Sequence, residues 1–329
     1  MSIIQHAGTP PKTSGHSPDS IRFCTFADIH YYPHVFPHDT REWLERILAR
    51  AVTARCNLVI HLGDLTHTPA ACRDYVDFYN DFAIPCRHTM GNHDDDGNSH
   101  EKTLEAYRLE RGYYHFDCNG FRFIVMDTNY CLVDRCWVHY SEGNYYAVAR
   151  NNSRNVSRVP PFELEWLEYT LRNSPYPCIV TSHASFERNV CGSPDGEAVR
   201  RIFANANTSH PGRVRLVING HHHCDYARIL DNIVYLDINS ASYAWFDEAH
   251  SAYPADYTKN WRLAGNTLMW DDPLSAIITI NQGGDIAMEG MKSRFHLGVS
   301  PETAKRPSLD PDGRRVTPGI SSFSLRMEI

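Results

Sequence analysis

Aspartate, histidine and asparagine side chains stand just after several short apolar stretches of the sequence, and together they have the chemistry of a metal site. Asp64 closely follows residues 57–62, for example, and His183 closely follows residues 178–181. Imidazole nitrogens combined with carboxylate and amide oxygens suit Mn, Fe, Zn or Co better than Mg or Ca alone. We therefore interpret these side chains as candidate metal ligands. They are Asp28, His30, Asp64, Asn92, His93, His183, His221 and His223.

The apolar stretches before these residues have the length and composition of β-strands. Residues 21–26, 57–62 and 84–90 alternate with residues 40–54 and 71–82, in which apolar side chains recur at helical spacing. This order predicts βαβ units and a substantially parallel sheet. Because the carboxyl ends of the strands in such a sheet share one edge, we expect the candidate ligands to converge there.

The rest of the chain contains further strands and helices. Residues 113–118 and 121–127 flank Asn119-Gly120, which is a strong hairpin signal. Residues 129–161 are polar and rich in aromatic residues, and we predict an inserted loop near the functional edge. Additional strands are predicted at 178–181, 214–218, 274–280 and 286–291, helices at 162–172 and 196–204, and a hairpin over 229–238.

The composition is that of an ordinary globular protein, with 42% hydrophobic and 22% charged residues among 329. No apolar stretch is long enough to span a bilayer, so no membrane partner is predicted. The formal net charge of -7 disfavours nucleic acid as a partner, because nucleic-acid binders present basic surfaces. The ten cysteines include no CxxC pair, and the N-terminus lacks the pattern of a secretory signal. Free thiols and a cytoplasmic location are therefore predicted, and a homo-oligomer is left open.

The candidate ligands occur in an order that resembles the calcineurin-like metallophosphoesterase superfamily. The linking segments 125–128 and 164–167 also resemble those of the superfamily, and the likeness covers roughly residues 21 to 245. The closest similarity in motif is to the branch of class III cyclic-nucleotide and glycerophosphodiester phosphodiesterases. The five blocks are Asp28-x-His30, Gly63-Asp64, Gly91-Asn92-His93-Asp94, His183 and Gly220-His221-x-His223.

The resemblance implies an α/β fold, namely a four-layer α/β/β/α sandwich of two mixed sheets with a small β-rich C-terminal extension. Residues 1–20 are predicted to form a flexible leader. Residues 21–248 would form the metallophosphoesterase domain, and residues 249–329 an extension packed on it.

The resemblance also implies two metal ions, held by residues from all five blocks, with one shared carboxylate. The shared ligand would be Asp64. The first ion would be bound by Asp28, His30, Asp64 and His223, and the second by Asp64, Asn92, His183 and His221.

The roles of the remaining site residues follow from the same resemblance. A hydroxide bridging the two ions, formed near neutral pH because coordination lowers the pKa of water, would attack phosphorus in line. Asn92 would help to stabilise the charge on the phosphoryl oxygens. His93 would act as general acid for the leaving alkoxide, and Asp94 would orient its ring.

Taken one at a time, these residues have ordinary interpretations. An aspartate after a strand is commonly a turn or helix-capping residue, and Gly91-Asn92 is also a hairpin signal. Residues 221–223 would equally suit a surface histidine tract that binds adventitious metal. Their joint occurrence at strand ends, in the order of the family, favours the metal site.

Position 67 departs from two branches of the superfamily. The protein Ser/Thr phosphatases carry Gly-Asp-x-x-Asp-Arg here, whereas residues 63–68 of this chain read GDLTHT. Purple acid phosphatases would need a tyrosine at position 67 and a residue other than histidine at position 30. Both branches are therefore disfavoured. His67 and His34 are candidate substrate-binding residues; the alternative is a supporting or surface role for His67 and a place in a polar loop for His34.

The predicted function is dinuclear metal-dependent hydrolysis of a small phosphate ester, with a phosphodiester favoured by the shared Asp-x-His and Gly-His-x-His blocks. A phosphomonoesterase acting on a small molecule is the alternative that the sequence separates least. A metal-dependent nuclease is disfavoured by the acidic net charge. A non-catalytic scaffold is disfavoured because every ligand position is filled.

Overall fold

The computed structural model describes residues 2–3, 19–32, 37–245 and 253–328. The strands in this part of the chain form two large mixed sheets and two sheets of two strands each. The strands are β1 (Ser2–Ile3), β2 (Ser20–Phe26), β3 (Leu58–Leu62), β4 (Cys86–Thr89), β5 (Tyr114–Cys118), β6 (Phe121–Val125), β7 (Tyr130–Val133), β8 (Cys136–His139), β9 (Cys178–Ser182), β10 (Val214–Asn219), β11 (Tyr226–Leu230), β12 (Ile233–Asp237), β13 (Tyr243–Trp245), β14 (Thr267–Met269), β15 (Ala276–Asn281), β16 (Asp285–Gly290) and β17 (Phe323–Arg326). The helices are α1 (Thr40–Thr53), α2 (Arg73–Asn80), α3 (His100–Tyr107), α4 (Asn144–Asn151), α5 (Pro161–Arg172), α6 (Gly196–Ser209) and α7 (Ala255–Asn260).

Parallel strands form one half of the six-stranded sheet and the middle of the seven-stranded sheet, as the βαβ pattern predicts. The six-stranded sheet has the order β17-β16-β15-β2-β3-β4, in which β2, β3 and β4 run parallel. The seven-stranded sheet has the order β1-β11-β12-β10-β9-β6-β5, in which β6, β9, β10 and β12 run parallel. The predicted hairpin at Asn119-Gly120 is confirmed by the antiparallel pairing of β5 with β6.

The two sheets pack against each other and each is covered by helices. Phe23 of β2 and Phe123 of β6 meet edge to face between the sheets, with ring centroids 5.3 Å apart. Along β9, Ile179 belongs to the core shared by the two sheets, whereas Val180 packs with side chains of α5 and α6. The predicted four-layer α/β/β/α sandwich is thus confirmed.

Helix α1 illustrates how the sequence places a helix on the six-stranded sheet. Its apolar residues recur every three or four positions, so that one face is buried. The helix begins where the Asp39 carboxylate accepts the backbone N–H groups of Arg41 and Glu42, at 2.9 and 3.2 Å. The buried residues of the helix are Thr40, Trp43, Leu44, Ile47, Leu48 and Ala51.

The C-terminal strands are built into the six-stranded sheet. β15 pairs antiparallel with β2, β16 pairs with β15, and β17 pairs with β16. The domain boundary at residue 248 stays a prediction, but this sheet contains strands from both sides of it. Most of the predicted leader, residues 1–20, lies outside the described residues, although β1 pairs with β11.

The segment 129–161 is more regular than the predicted loop. It contains the antiparallel hairpin β7–β8 and helix α4. Cys131, Tyr140 and Val156 form a small core of their own within it. Strands of four residues are too short for their alternation to stand out in a sequence, which explains the error.

Other sequence-based predictions concern membranes and disulfides. Among the described residues, no helix has the length and apolar character needed to cross a bilayer. All ten cysteines lie in the described ranges and are free thiols.

Candidate metal centre

The predicted metal ligands follow five strands at one end of the two sheets. Because β2, β3 and β4 run parallel, and β9 and β10 also do, the carboxyl ends of each set share an edge. The six-stranded sheet supplies Asp28, His30, Asp64 and Asn92, and the seven-stranded sheet supplies His183, His221 and His223.

One group of donor atoms surrounds Asp28. Its Oδ1 lies 3.2 Å from Nε2 of His223 and 4.0 Å from Nε2 of His30. The two imidazole nitrogens are 3.3 Å apart. These three side chains are predicted ligands of the first ion, and their donor atoms are close enough to bind one cation together.

A second group of donor atoms surrounds His183. Its Nε2 lies 3.1 Å from Oδ1 of Asn92 and 3.2 Å from Nδ1 of His221. Oδ2 of Asp64 lies 3.3 Å from Nε2 of His183 and 3.8 Å from Nε2 of His30, so this carboxylate stands between the two groups. The seven predicted side chains therefore converge, with Asp64 in the position of a shared ligand.

Most of the converging residues have an unusual backbone conformation. Residues other than glycine rarely adopt positive φ, and such conformations cluster at functional sites, where the surrounding structure holds them in place. Backbone hydrogen bonds between the turns supply part of that support here, from Asp28 to Gly63 at 3.1 Å and from His30 to Asp64 at 3.0 Å. The positive φ values are 53° at Asp28, 51° at His30, 56° at Asp64, 69° at His221 and 47° at His223.

The hydrogen bonding of these side chains fits bound cations. Nδ1 of His183 donates to the carbonyl oxygen of Leu62 at 2.7 Å, and Nδ1 of His223 donates to that of Tyr243. The Nε2 lone pair of each ring therefore faces the cluster, as in metal-binding histidines. Oδ1 of Asp28 is buried without a hydrogen-bond partner among the described residues. A cation would supply that missing partner, so the residues fit two transition-metal ions.

Gly91 is needed because its backbone approaches Asp64 closely. A Cβ atom at this position would lie 2.2 Å from Oδ1 and 2.3 Å from the backbone nitrogen of Asp64. The Gly91→Ala variant is therefore expected to bind less metal and to lose about 1–3 kcal/mol of unfolding free energy. Metal content per chain and urea unfolding measure the two effects. Gly265→Ala is the control, since a Cβ there meets nothing within 4 Å; equal behaviour of the two variants would contradict the expectation.

His93, the predicted general acid, lies beside the cluster. Its Nδ1 is 2.7 Å from Oδ2 of Asp96 and 2.7 Å from the hydroxyl of Tyr146, which itself donates to Oδ2 of Asp96 at 3.1 Å. The backbone N–H of His93 donates to Oδ1 of Asp64 at 2.8 Å. Because Nδ1 is engaged, Nε2 is the nitrogen left to act on a leaving group.

Asp94 does not take the position that the sequence analysis predicted for it. Its carboxylate accepts the N–H groups of Gly91 at 2.8 Å and Leu65 at 3.0 Å, and the hydroxyl of Tyr107 at 2.6 Å. These bonds hold together the turns that carry Asp64 and the residues around position 92. The carboxylate at the ring of His93 is that of Asp96, which the sequence analysis missed. The spacing was the available signal, because side chains three residues apart align on a 3-10 turn.

His67 contacts the Nδ1 side of the His30 ring, whereas Nε2 of that ring faces Asp28. Its Nε2 is 3.1 Å from Nδ1 of His30, and its Nδ1 is 3.1 Å from Oδ2 of Asp96. This geometry favours the supporting role that the sequence analysis gave as the alternative to substrate binding. His34, the other candidate substrate-binding residue, lies outside the described residues.

Burial and neighbouring charges set the protonation of the site. Burial holds the pKa of His30 and His221 well below the ordinary value, which leaves neutral rings that can bind a cation. Burial also acts to lower the pKa of His183, but Asp64 and Asp28 outweigh it and raise the pKa to about 9.

The pKa of His93 is shifted in the direction that suits an acid. Burial acts to lower it, but Asp64 and Asp96 together raise the pKa above the ordinary value. The protonated ring is thereby favoured, which is the form that donates a proton to a leaving group.

The site opens into a cavity of about 1260 Å³. Tyr146 and Trp245 form an aromatic wall beside His93, and the ring of Trp245 stacks on that of His93 with centroids 5.9 Å apart. Residues between 306 and 316 also line the cavity. Trp245 and the 306–316 segment lie outside the five blocks and carry no recognisable motif, so the sequence alone did not reveal them.

Solved structures with low sequence identity share the fold of this chain. A dimetal phosphatase from Danio rerio is 14% identical, with a TM-score of 0.56, over 84% of this chain and 98% of that one. A purple acid phosphatase from yellow lupin (Lupinus luteus) seeds is 14% identical, with a TM-score of 0.50, over 93% of this chain and 54% of that one. GAP50, the anchor in the inner membrane complex of Plasmodium, is 12% identical, with a TM-score of 0.52, over 94% of this chain and 90% of that one. These likenesses show that the chain shares the fold of the three proteins.

The family follows from the sequence match. A model described as calcineurin-like phosphoesterase matches residues 21–225, and the chain belongs to that family. The superfamily and the enzyme class predicted from the sequence, a hydrolase of phosphate esters that uses two metal ions, are confirmed. No curated protein matches the sequence.

Proposed function

We propose that this phosphoesterase hydrolyses a small phosphodiester and that His93 is its general acid. The observation that carries the proposal is the position of His93 beside the predicted ligands. Its Nδ1 is held there by Oδ2 of Asp96 and the hydroxyl of Tyr146, each 2.7 Å away. Departure of an alkoxide needs a proton, and a histidine with a raised pKa supplies one near neutral pH.

The charged side chains around the centre bear on the choice between a diester and a monoester. Among the described residues, no lysine or arginine forms a hydrogen bond or ion pair with the seven predicted ligands. Near neutral pH a monoester carries about 1.5 to 2 negative charges, whereas a diester carries one. Three arginines, Arg150, Arg188 and Arg306, nevertheless line the cavity, so the charge of the site does not separate the two kinds of ester.

The shape of the cavity supports a second substituent on the phosphate. Trp245 and Tyr146 are each 36% exposed, and both face the cavity beside His93. Exposed aromatic rings provide a stacking surface for an apolar or planar group. The second ester group of a diester would lie against this wall.

Each group of residues has a separate role in the proposed reaction. The seven predicted ligands would hold two ions chosen from Mn, Fe, Zn and Co, which supply Lewis acidity and an activated water. The Asn92 oxygen faces His183 at 3.1 Å, and its amide N–H groups would donate to a phosphoryl oxygen. His93 would give its Nε2 proton to the leaving oxygen while Nδ1 stays bound to Asp96.

A panel of phosphoesters tests the proposal. Manganese-loaded protein would be assayed with bis-p-nitrophenyl phosphate, cyclic AMP and p-nitrophenyl phosphate, with metal-free protein as control. We expect a higher kcat/KM for at least one of the two diesters than for the monoester. A preference for p-nitrophenyl phosphate would establish the monoesterase alternative, and metal-loaded protein inert on all three would point to a scaffold.

Asp96 is expected to act as a positioning residue for His93 and His67. Asp96→Asn should keep two metal equivalents but lower kcat by about 10–100-fold on diesters with poor leaving groups, the usual effect of losing an outer hydrogen-bond partner at a metal site. Steady-state kinetics over leaving groups of different pKa measures the effect.

The control for Asp96→Asn is Asp134→Asn, a substitution at an exposed position of the β7–β8 turn. A merely structural role for Asp96 would lower kcat for all leaving groups alike. That result, or an unchanged kcat, would remove Asp96 from the positioning role. The cytoplasmic location, the small phosphorylated substrate and the possible homo-oligomer stay predictions.

A further inference from the structure

A second cluster of metal-type donors lies outside the seven predicted ligands. It consists of Asp95, His100 and His139, whose donor atoms lie within 4.8 Å of one another. Asp95 ends the 3-10 turn that follows β4, His100 begins α3, and His139 ends β8. The cluster therefore joins the turn behind His93 to the 129–161 segment.

Asp95 is buried in an environment that leaves its carboxylate without hydrogen bonds. The residue is 1% exposed, and neither of its oxygens has a hydrogen-bond partner among the described residues. Nδ1 of His100 is likewise buried without a hydrogen-bond partner. Buried polar groups are rarely left in this state, because the loss of hydration is not compensated.

The donor atoms of the cluster lie at distances typical of ligands around an ion, but the rings of His100 and His139 stack with centroids 3.3 Å apart, so one ring has to turn for both nitrogens to point at a shared ion. Nδ1 of His100 and Nδ1 of His139 lie 3.4 and 3.5 Å from Oδ2 of Asp95. Hydrogen bonds to a carboxylate are normally shorter, at about 2.7–2.9 Å. In a tetrahedral zinc site, bonds of roughly 2.0–2.2 Å place neighbouring donor atoms about 3.4 Å apart.

His139 is oriented by a carboxylate at the ring nitrogen that faces away from Asp95, as in many metal-binding histidines. Its Nε2 lies 2.7 Å from Oδ2 of Asp127, which is fully buried. A carboxylate on the far nitrogen fixes the ring and increases the basicity of the nitrogen that faces the ion.

An ion pair without a metal is the competing explanation. Nδ1 of His139 also lies 3.1 Å from the carbonyl oxygen of Tyr140, so a protonated ring could donate to Tyr140 and Asp127. Although burial opposes it, Asp127 and Asp95 raise the pKa of His139 to about 10. This explanation accounts for His139 and gives Asp95 a charged neighbour, but its contacts of 3.4 and 3.5 Å are longer than charge-assisted hydrogen bonds and Oδ1 keeps no contact of this kind.

We propose that Asp95, His100 and His139 bind a third metal ion, a divalent transition metal of the Zn²⁺ type. Two imidazoles and one carboxylate are a common zinc donor set, and a water would complete it. The His100 and His139 side chains are 16% and 12% exposed, which gives the ion and the water access from solvent.

The ion would fasten the 129–161 segment to the catalytic turn. Two backbone bonds already join them, from Gly143 to Asp95 at 3.2 Å and from Glu142 to Asn98 at 2.9 Å. Helix α4 follows directly and carries Tyr146, which bonds to His93. The site therefore goes beyond the proposed function and holds the residues that support the general acid.

Metal stoichiometry of the full-length protein tests the proposal. We expect wild-type protein purified in the presence of zinc to contain three equivalents and His100→Gln to contain two. His115→Gln is the matched control at an exposed position of β5 and should keep three. Circular dichroism verifies that each variant is folded. Two equivalents in the wild type, or three in His100→Gln, would overturn the proposal.

A second measurement uses only the wild type, in case His100→Gln does not fold. An anomalous difference map at the zinc edge should show a peak between Asp95, His100 and His139, in addition to those at the dinuclear centre. Peaks at the dinuclear centre with none at the third position would refute the site. Neither readout involves turnover, so the third site and the phosphodiesterase proposal fail independently.

Discussion

Asp64→Ala is expected to lose at least one of the two metal ions. Its kcat is expected to fall by more than roughly 10³-fold, which is the usual cost of losing one hydrogen-bond donor that stabilises the transition state. The reason is the position of Asp64 between the two groups of donors, 3.3 Å from His183 and 3.8 Å from His30. Alanine also removes the acceptor for the backbone N–H of His93. Metal analysis and turnover of bis-p-nitrophenyl phosphate measure the two losses.

A second variant separates the ligand role of Asp64 from its structural role. Asp64→Asn keeps an oxygen that can accept the N–H of His93 but removes the negative charge. We expect this variant to remain folded and still to bind less metal. Asp81→Ala, at an exposed site, is the control for the alanine variant. Two metal equivalents retained in Asp64→Ala would contradict the bridging assignment.

His93→Ala is expected to keep both metal ions and to lower kcat by about 10²–10⁴-fold on diesters with poor leaving groups. The ring lies beside the predicted ligands, and the seven donor groups do not include it. A p-nitrophenolate leaves without a proton, so bis-p-nitrophenyl phosphate should be affected much less than a diester with an alkoxide leaving group. Comparing kcat for the two kinds of diester measures the effect.

The size of the effect across leaving groups decides the role of His93. His115→Ala, at an exposed position, serves as the control. If His93→Ala lowers kcat equally for good and poor leaving groups, the ring binds the phosphate or supports the fold instead of protonating the leaving oxygen. An unchanged kcat on the poor leaving group would remove His93 from the reaction altogether.

The convergence of the candidate ligands was predictable because strand ends and residue types coincide. Buried parallel strands are continuous apolar runs, and Asp64 or His183 interrupts such a run abruptly. Topology then brings these positions to one edge without further information. The positive φ at Asp28 and His223 was not predictable, because nothing in the local sequence requires it.

The parts that escaped prediction depend on contacts between distant segments. Asp96 meets Tyr146 of α4, and only the folded 129–161 segment brings the two together. The cluster of Asp95, His100 and His139 likewise joins residues that no motif connects. Trp245 reaches the cavity from β13, in a part of the chain that the five blocks do not cover.

β2 precedes Asp28 and His30, and one of its edges is covered by β15, which comes late in the chain. A fragment that stopped at residue 225, where the match to the family ends, would lack β11 to β17. The backbone N–H and C=O groups along that edge of β2 would then have no partner and would recruit strands from other molecules. The smallest part of this enzyme that can fold alone is therefore larger than residues 21–225, the part whose sequence matches the family.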